Sequence, residues 1–509
     1  MTENINDKIL PLYQLGQICA ELKAQGKTIA HCHGCFDLLH PGHMKHFESA
    51  SKIADVLIVT LTQDKFVNKG PGRPVFNEQV RAESIAALEV VDYVAINKWP
   101  TAVETIKIIK PDFYVKGPDY KDQTKDLTNN IGLEEEAVYA VGGKPYITDD
   151  ITFSSSKLIN AHFSQLSDKV QRYLEELKHK HSAEDVIKHI EALSDLKILV
   201  IGDTIIDEYH TCTPLGKSSK SPTISTIYRH GVSYAGGVLA IANHLDQYAG
   251  KVNMITLLGS ENTQQELIES KLSASVDKTF FYRSDGPTNT KRRYLDTYLN
   301  LKLFEVTFMN DKYIDSKLEA EIIEHLGKVI ADYDLVMVAD FGHGFITPGI
   351  IEYLEKSGKH LTVNAQTNSN NFGFNYITKY NRVSYISIDE KELRLPFGDA
   401  YGSIESLIQK LEAITHCSHI QITLGASGSM LYHAGRFHIT PAFATSVKDS
   451  VGAGDAVLSI TSLLAYNNAP EEVLGFVGNC MGTLAVNILG NEHPVYKKDL
   501  TKFISHFIK

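Results

Sequence analysis

Long apolar runs are missing from this sequence, and so is any excess of positive charge. No segment approaches the ~20 consecutive apolar residues that a membrane-spanning helix needs. Met1 to Lys27 carries charges throughout and has no continuous apolar stretch, so the expected compartment is the cytoplasm. Lys and Arg number 50 against 61 Asp and Glu, a net charge of −11 that disfavours a general binder of nucleic acid or membrane surfaces. Cysteine is sparse: Cys19, Cys32, Cys35, Cys212, Cys417 and Cys480 are scattered, which fits reduced thiols better than a disulfide framework. Low-complexity tracts are absent too. What is present is length, 509 residues of ordinary globular composition, enough for two or three domains.

The densest chemistry lies in His31-Cys32-His33-Gly34-Cys35-Phe36-Asp37-Leu38-Leu39-His40-Pro41-Gly42-His43, ahead of a helical pattern from Met44 to Ala54. His40 and His43 stand at the mouth of that helix with Pro41 and Gly42 between them. N–H groups at a helix N-terminus attract an anion, and imidazoles donate hydrogen bonds to charge that builds on a phosphoryl oxygen. The plainer reading is a loop with two solvated or core histidines. A zinc site from His31, Cys32, His33 and Cys35 is a further alternative, but the single CxxC has no second pair, and strand alternation sends Cys32 and Cys35 to opposite faces. Around this loop, Pro11–Gln25 and Glu78–Leu88 read as helices, and Thr28–Cys32, Val56–Thr62 and Tyr93–Ile96 as strands. Such alternation predicts a parallel sheet covered by helices, with ligands outside the carboxyl ends of the strands.

Gly34 to His43 resembles the signature of the nucleotidylyltransferase superfamily, whose HxGH sequence holds the triphosphate of an incoming nucleotide. The resemblance implies a Rossmann-like domain, nucleotide-binding roles for Gly34, Cys35, Phe36 and Asp37, and catalytic roles for His40 and His43. Lys69-Gly70-Pro71-Gly72-Arg73-Pro74-Val75, by itself a stiff surface turn, is similar to the KGxGRP segment of heptose-1-phosphate adenylyltransferases. That makes Lys69 a third catalytic candidate and Arg73 a weaker triphosphate contact. Glu78, Arg81 and Val91-Asp92-Tyr93 continue the likeness, although a salt-bridged helix surface also explains them. Pro111 to Tyr120 matches the PDxxVKGxDY pattern of the same enzymes, which implies that Lys116 and Asp119 face a sugar phosphate. Ser154-Ser155-Ser156 precedes a helical pattern where the family has its ST[TS] motif. One serine alone is an N-cap, whereas three also suit phosphate oxygens. Glycerol-phosphate cytidylyltransferases carry an Arg just upstream; here Asp149 and Asp150 occupy that region, which points to ATP, with CTP as the alternative nucleotide.

From Ser167 to Leu193, Val170, Tyr173, Leu174, Leu177, Val186, Ile187 and Ile190 recur at helical spacing, uninterrupted by Gly or Pro. Residues 166–195 are therefore expected as a helical linker between a domain at 1–165 and another at 196–509. The second half opens on a strand, Lys197–Ile201, followed by Gly202-Asp203-Thr204-Ile205-Ile206-Asp207. Leu215-Gly216-Lys217-Ser218 is not a P-loop, because Thr211 stands where its first glycine belongs. Asp449-Ser450-Val451-Gly452-Ala453-Gly454-Asp455 carries more weight. Its small residues let successive N–H groups at a helix start converge on a transferring phosphoryl group, and Asp455 is set to accept the proton of an attacking hydroxyl.

That stretch, with Gly202–Asp207 and Ala235-Gly236-Gly237, resembles the ribokinase/PfkB family of sugar kinases, matching DTxGAGD apart from Ser450. The resemblance implies a ribokinase-like αβα domain with a small β-lid, for which Cys212–Tyr234 and Thr288–Phe304 are the candidate strands, and a homodimer. It implies that Asp455 is the base and that Gly452, Ala453 and Gly454 form the anion hole. Thr423, Gly425, Gly428 and Asn479 would meet the nucleotide, and Asp203, Gly236, Gly237, Asn243, Lys291, Arg292 and Asp340 the sugar. Asp389, which replaces the asparagine of the NxxE motif, would serve magnesium with Glu392 and Asp449. Plainer readings are a turn-forming Asp203 and a charge-protected edge strand around Lys291 and Arg292.

Together the halves resemble the bifunctional heptose kinase/adenylyltransferases with the domain order reversed. The substrates so implied are ATP and a phosphorylated sugar, the cofactor Mg2+, and the product an NDP-sugar for glycan synthesis. Ala240 stands where heptose kinases place a sugar-binding Asn, with Asn243 one helical turn on, and Val363–Asn368 replaces their acidic DPK-type segment. The sugar is thus expected to differ from the usual heptose. A kinase fused to a polyol-phosphate cytidylyltransferase is the alternative enzyme, and an active transferase carrying a kinase-like scaffold the alternative of another class.

Overall fold

The computed structural model describes residues 5–67, 73–117, 130–149, 166–298 and 301–508. The chain divides into two compact units, residues 1–167 with 501–507 and residues 168–500 with 508–509. In the first unit, strands β1 (Ile29–Gly34), β2 (Val56–Leu61), β3 (Tyr93–Ile96), β4 (Phe113–Lys116) and β5 (Lys144–Ile147) form a parallel sheet in the order β3-β2-β1-β4-β5. Helices α1 (Leu12–Ala24), α2 (Pro41–Ser51), α3 (Glu78–Ala86), α4 (Val103–Ile109) and α5 (Asn130–Ala140) alternate with the strands.

Parallel pairing needs crossover connections, and helices on both faces bury the central strands completely. Hence β2, Val-Leu-Ile-Val-Thr-Leu, is buried at every position. Period two sorts its residues. Leu57 and Val59 join Ala30, Cys32, Phe47 and Ile85 in one core, while Val56 and Ile58 join Ile29, Leu12, Leu15 and Ile109 in the other. The chain leaves β1 toward β2 and returns to its other side at β4, so the loop after β1 opens at the point where strand order reverses, the usual ligand crevice of such sheets.

The second unit opens with α6 (Asp168–Lys180) and α7 (Ala183–Glu191), the latter started by a Ser182/Asp185 capping box. Tyr173 packs on Phe443, and Lys180 pairs with Glu472 at 3.0 Å, so these helices are fastened to the second unit. Its strands are β6 (Lys197–Lys217), β7 (Ile224–Gly237), β8 (Lys251–Glu261), β9 (Asp277–Pro287), β10 (Thr290–Asp296), β11 (Lys302–Phe308), β12 (Leu335–Asp340), β13 (His360–Ala365), β14 (Tyr385–Asp389), β15 (His419–Thr423), β16 (Ser429–His433) and β17 (Arg436–Thr440). Among its helices are α8 (Val238–Leu245), α9 (Gln265–Lys271), α10 (Ser316–Val329), α11 (Pro348–Lys356), α12 (Glu390–Arg394), α13 (Ile404–Thr415), α14 (Ala453–Tyr466) and α15 (Glu471–Ala485).

The 21-residue β6 serves two sheets. Its first part, Lys197 to Asp203, pairs with β8 and β12 in a sheet that continues through β13, β14 and β15 in parallel and ends in the antiparallel β16 and β17. From Thr204 on it pairs instead with β7 and β10, and β10 with β11, in a four-stranded lid. The expected lid stretches therefore fall in lid strands. Lys291 and Arg292 lie in β10, between β6 and β11, not at a sheet edge. Among the described residues no helix is long and apolar enough to cross a membrane.

Candidate active sites

In the first unit β1 delivers the chain to a tight loop that starts α2. His40 is the N-cap, its Nδ1 accepting the His43 N–H at 3.3 Å, and Pro41 takes the first helical position. The two imidazoles stack, with ring centroids 3.9 Å apart, and the Phe36 ring meets His43 edge-on. Burial lowers the His40 pKa below the ordinary histidine value, so the ring is neutral at pH 7. Asp37 is committed within the protein: Oδ2 accepts from Arg73 Nε at 2.7 Å, and Oδ1 from the N–H groups of Val75 and Phe76 at 2.8 and 3.1 Å. That grip leaves Nη1 and Nη2 of Arg73 buried and without a partner among the described residues. Arg81 is a second brace. Its guanidinium donates to the carbonyls of Cys35, Thr62 and Phe76 and to Asp64, tying the loop to the end of β2 and the start of α3. Lys69, Asp119, Ser154, Ser155 and Ser156 lie outside the described residues.

Along β1 and β4 runs a polar seam that the sequence pattern did not reveal. His31 and His33 point to the same side of β1 and share Thr60 Oγ1, at 2.7 Å from His31 Nε2 and 2.9 Å from His33 Nδ1. Burial lowers His31 well below its ordinary pKa, and burial with the Lys116 ammonium pulls His33 down to about 4. Lys116 pairs with Glu134 at 2.9 Å, and Tyr114 donates to the same carboxylate at 2.8 Å. Burial would raise Glu134, but the Lys116 charge outweighs it and holds the carboxyl at about 2. The signal that would have found the histidine pair is their i, i+2 spacing. Cys32 points the opposite way, into the apolar core, and burial pushes its thiol far up, so the zinc alternative has no geometry here.

In the second unit Asp455 sits in the first turn of α14, behind Gly452 at φ +81°. A side chain at 452 would collide with Asn491, whose Oδ1 lies 1.8 Å from where a Cβ would stand. Burial, with Asp207 beside it, raises the Asp455 carboxyl to about 7, and Lys291 pulls the other way. Gly236 is required by close approach, since a Cβ there would lie 2.1 Å from Asp207 Oδ2. Strand alternation puts Lys291 and Arg293 on the face of Asp207, to which Arg293 is hydrogen-bonded, and Arg292 on the opposite face, where it pairs with Glu208 at 2.5 Å. The structure thus groups Lys291 with Arg293 instead of Arg292.

The other carboxylates divide by how far the protein uses them. Asp203 Oδ2 accepts from the N–H groups of Phe341 and His343, its Oδ1 is buried without a partner among the described residues, and burial with Asp340 nearby raises the carboxyl to about 7. Asp340 is spent internally on Gly342, Asn375, Tyr380 and Lys379. Asp449 accepts from Tyr209 at 2.7 Å and Lys302 at 2.9 Å, both on lid strands, as well as from the N–H groups of Val451 and Gly490. Asn243 donates to the Lys271 carbonyl and accepts from Ser273 N–H, both at 2.9 Å. Asp389 and Glu392 form a capping box at the start of α12, and burial followed by the Asp389 charge raises Glu392 to about 8, with Asp455 adding to the effect. Two carboxylates side by side suit the hard, mostly hydrated Mg2+. Among the described residues no cluster of three or more His, Cys, Asp or Glu forms a closed metal cage. Asn479 Nδ2 donates to Ser429 Oγ and the Gly475 carbonyl, beside the turn bounded by Gly425 and Gly428 after Thr423.

Residues 31–161 match the family model described as cytidylyltransferase-like, and residues 195–490, more than half of the chain, match that of the pfkB family carbohydrate kinases. The bifunctional protein HldE of Syntrophotalea carbinolica is 40% identical over 127 residues, which are 24% of this chain and 26% of that protein. HldE of Aliarcobacter butzleri is 42% identical over 144 residues, 28% and 30% of the respective chains. The matched region thus spans under a third of the length of these curated relatives. The crystal structure of phosphofructokinase-2 from Escherichia coli in complex with substrates and products has a TM-score of 0.50 at 13% identity, covering 62% of this chain and all of that one, a likeness of fold alone. The chain belongs to the pfkB carbohydrate kinase family and carries a cytidylyltransferase-like domain ahead of its kinase domain.

Proposed function

We propose that the protein is a bifunctional enzyme. The second unit transfers the γ-phosphoryl group of ATP to a hydroxyl of a sugar, a heptose phosphate or a related sugar phosphate. The first unit joins a sugar 1-phosphate to AMP from ATP with release of pyrophosphate, supplying an NDP-sugar for glycan, lipopolysaccharide or capsule synthesis.

The observation that carries the kinase reading is Asp455, a buried carboxyl raised to about 7 in the first turn of a helix whose leading N–H groups have no intrahelical acceptors. A base with that pKa takes the proton of the attacking hydroxyl while Gly452, Ala453 and Gly454 offer N–H groups to the transferring phosphoryl. Asp389 and Glu392 would hold Mg2+, which when bound neutralises phosphate charge. Lys291 balances the carboxylates around the acceptor hydroxyl, and Thr423, Gly425, Gly428 and Asn479 form the nucleotide side.

For the first unit the supporting feature is the stacked His40–His43 pair at the N-terminus of α2, with the two orphaned Arg73 nitrogens nearby in sequence to the KGxGRP candidate Lys69. The attacking sugar phosphate is already an anion, so the site must stabilise charge and needs no base. CTP is the alternative nucleotide, favoured by the cytidylyltransferase-like family match. Lid residues Ile224, Tyr228 and Phe304 are exposed, an apolar surface that supports a homodimer formed through the lids.

The deciding experiment assays the full-length protein for ATP-dependent phosphorylation over a panel of sugars and sugar phosphates, and for pyrophosphate release from ATP and CTP with sugar 1-phosphates. Asp455→Asn is expected to abolish the first activity alone, and His43→Ala the second alone. Loss of both activities in each folded variant would refute two independent sites.

A further inference from the structure

His343, in the turn after β12, is 1% exposed, yet neither of its ring nitrogens has a hydrogen-bond partner among the described residues. The turn is held firmly. Asn368 and Asn371 donate to the Phe341 carbonyl at 2.9 and 2.7 Å, and Gly342 and Gly344 adopt positive φ on either side of the histidine. The His343 N–H points at Asp203 Oδ2, and the other oxygen of that carboxylate is the third orphaned atom. Lys291 interacts electrostatically with His343, Asp203 and Asp455 alike, which puts these groups in one region of the second unit. The unpaired atoms come from two separate elements: β6, at the residue where it passes from the main sheet to the lid, and the turn after β12.

Buried polar atoms left unpaired are unfavourable, and several converging on one place call for a ligand that pairs them. Their chemistry says which kind. Burial, with Lys291 adding to it, lowers the His343 pKa to about 3, so the ring is neutral and offers one N–H donor and one acceptor nitrogen. Asp203 Oδ1 needs a donor. A phosphate dianion brings acceptors only and satisfies one of the three, whereas neighbouring hydroxyls, each donor and acceptor at once, satisfy all.

We propose that His343 reads the hydroxyl pattern of the acceptor sugar, one ring nitrogen donating to a hydroxyl and the other accepting from its neighbour, with Asp203 Oδ1 accepting from the same polyol segment. This rests on the kinase reading above and deepens it, because it assigns the uncharged hydroxyl-bearing part of the substrate, and not a phosphate, to this corner of the pocket. His343 then takes the place of the polar contact that Ala240 does not supply.

The test uses the full-length protein with pentoses, hexoses and heptoses, free and terminally phosphorylated, and the monodeoxy analogue series of each sugar that is turned over. His343→Leu is expected to raise the KM for that sugar about tenfold to a hundredfold while the KM for ATP stays within about twofold. His343→Gln, whose amide again supplies one donor and one acceptor, should recover most of that loss. At least one monodeoxy analogue should be used about tenfold less well by the unmodified protein, and its disadvantage should vanish in His343→Leu. An unchanged sugar KM in His343→Leu, or a loss confined to kcat that Gln does not recover, overturns the inference and leaves the kinase reading standing. So does a deoxy series in which the unmodified protein discriminates against no analogue, a result that depends on no variant's folding. Turnover of no sugar in the panel overturns both.

Discussion

The two candidate sites are built from opposite materials. In the first unit the groups on and beside β1 and the loop after it are imidazoles and cations: His40 and His43 stacked at a helix N-terminus, His31 and His33 on β1, and Arg73 and Lys116, with the carboxylates Asp37 and Glu134 paired off. In the second unit they are carboxylates: Asp203 and Asp455 are held at about 7 and Glu392 at about 8, with Lys291 as a buried counter-charge. Under the proposed function this contrast follows from the nucleophile. A sugar phosphate attacks as a ready-made anion, so its site has charge to stabilise and no proton to remove. A sugar hydroxyl must lose a proton, so its site keeps a base whose pKa lies near the working pH.

Substitutions at the reacting groups test the contrast most severely. Asp455→Asn should lower sugar phosphorylation by about 10²–10⁴-fold with pyrophosphate release unaltered, and His43→Ala should lower pyrophosphate release by about 10²–10³-fold with phosphorylation unaltered. Steady-state assays of both activities on each variant would read this out. Next comes the structural brace of the imidazole site. Arg81→Ala removes a buried guanidinium and strands the carbonyls and carboxylate it serves, which should cost about 3–5 kcal/mol in urea unfolding.

A pH titration separates the sites without mutation. Because the Asp455 carboxyl is raised to about 7, kcat/KM for phosphorylation should climb about tenfold per pH unit below 7 and level off above it. His40 is lowered from its ordinary value by burial, so nucleotidyl transfer should show no rise centred on pH 7. Stability carries the matching signs. A raised carboxyl contributes stability that is lost as pH rises through about 7, whereas His33, His244, His360 and His419, all lowered to about 4, contribute stability that is lost as pH falls from about 6.5 toward 4. The smallest effect is expected away from both sites: Ser182→Ala breaks the capping box of α7 and should cost about 1 kcal/mol, with both activities unchanged.

Much of the architecture could be read from the chain, and the reasons are local. Val56–Thr62 is β-branched and apolar throughout because β2 is covered on both faces, and His40-Pro41 announces a helix start because an N-cap and a proline at N1 need no partner from elsewhere. The apolar spacing between Ser167 and Leu193 marked one or two connecting helices, but not the surface they pack on. Other misses were non-local. Asp37 looks like a ligand-facing carboxylate until Arg73, Val75 and Phe76 come back to claim it. Lys291 and Arg292 look like a pair until the register of β10 turns them to opposite faces. His343 follows the strand-end Asp340 and had no role of its own in the sequence; its burial without partners among the described residues singles it out.

By itself, then, the order of residues determined two α/β units, each with a glycine-bearing helix start proposed to hold phosphate, because periodicity, caps and glycine positions act within a few residues. Only the tertiary structure decided which polar groups are consumed as braces and which are left to meet a ligand. Hydrogen-bond satisfaction and desolvation are set by neighbours tens or hundreds of residues away, as when Lys302 and Tyr209 on the lid take up Asp449 while one oxygen of Asp203 is left unclaimed among the described residues.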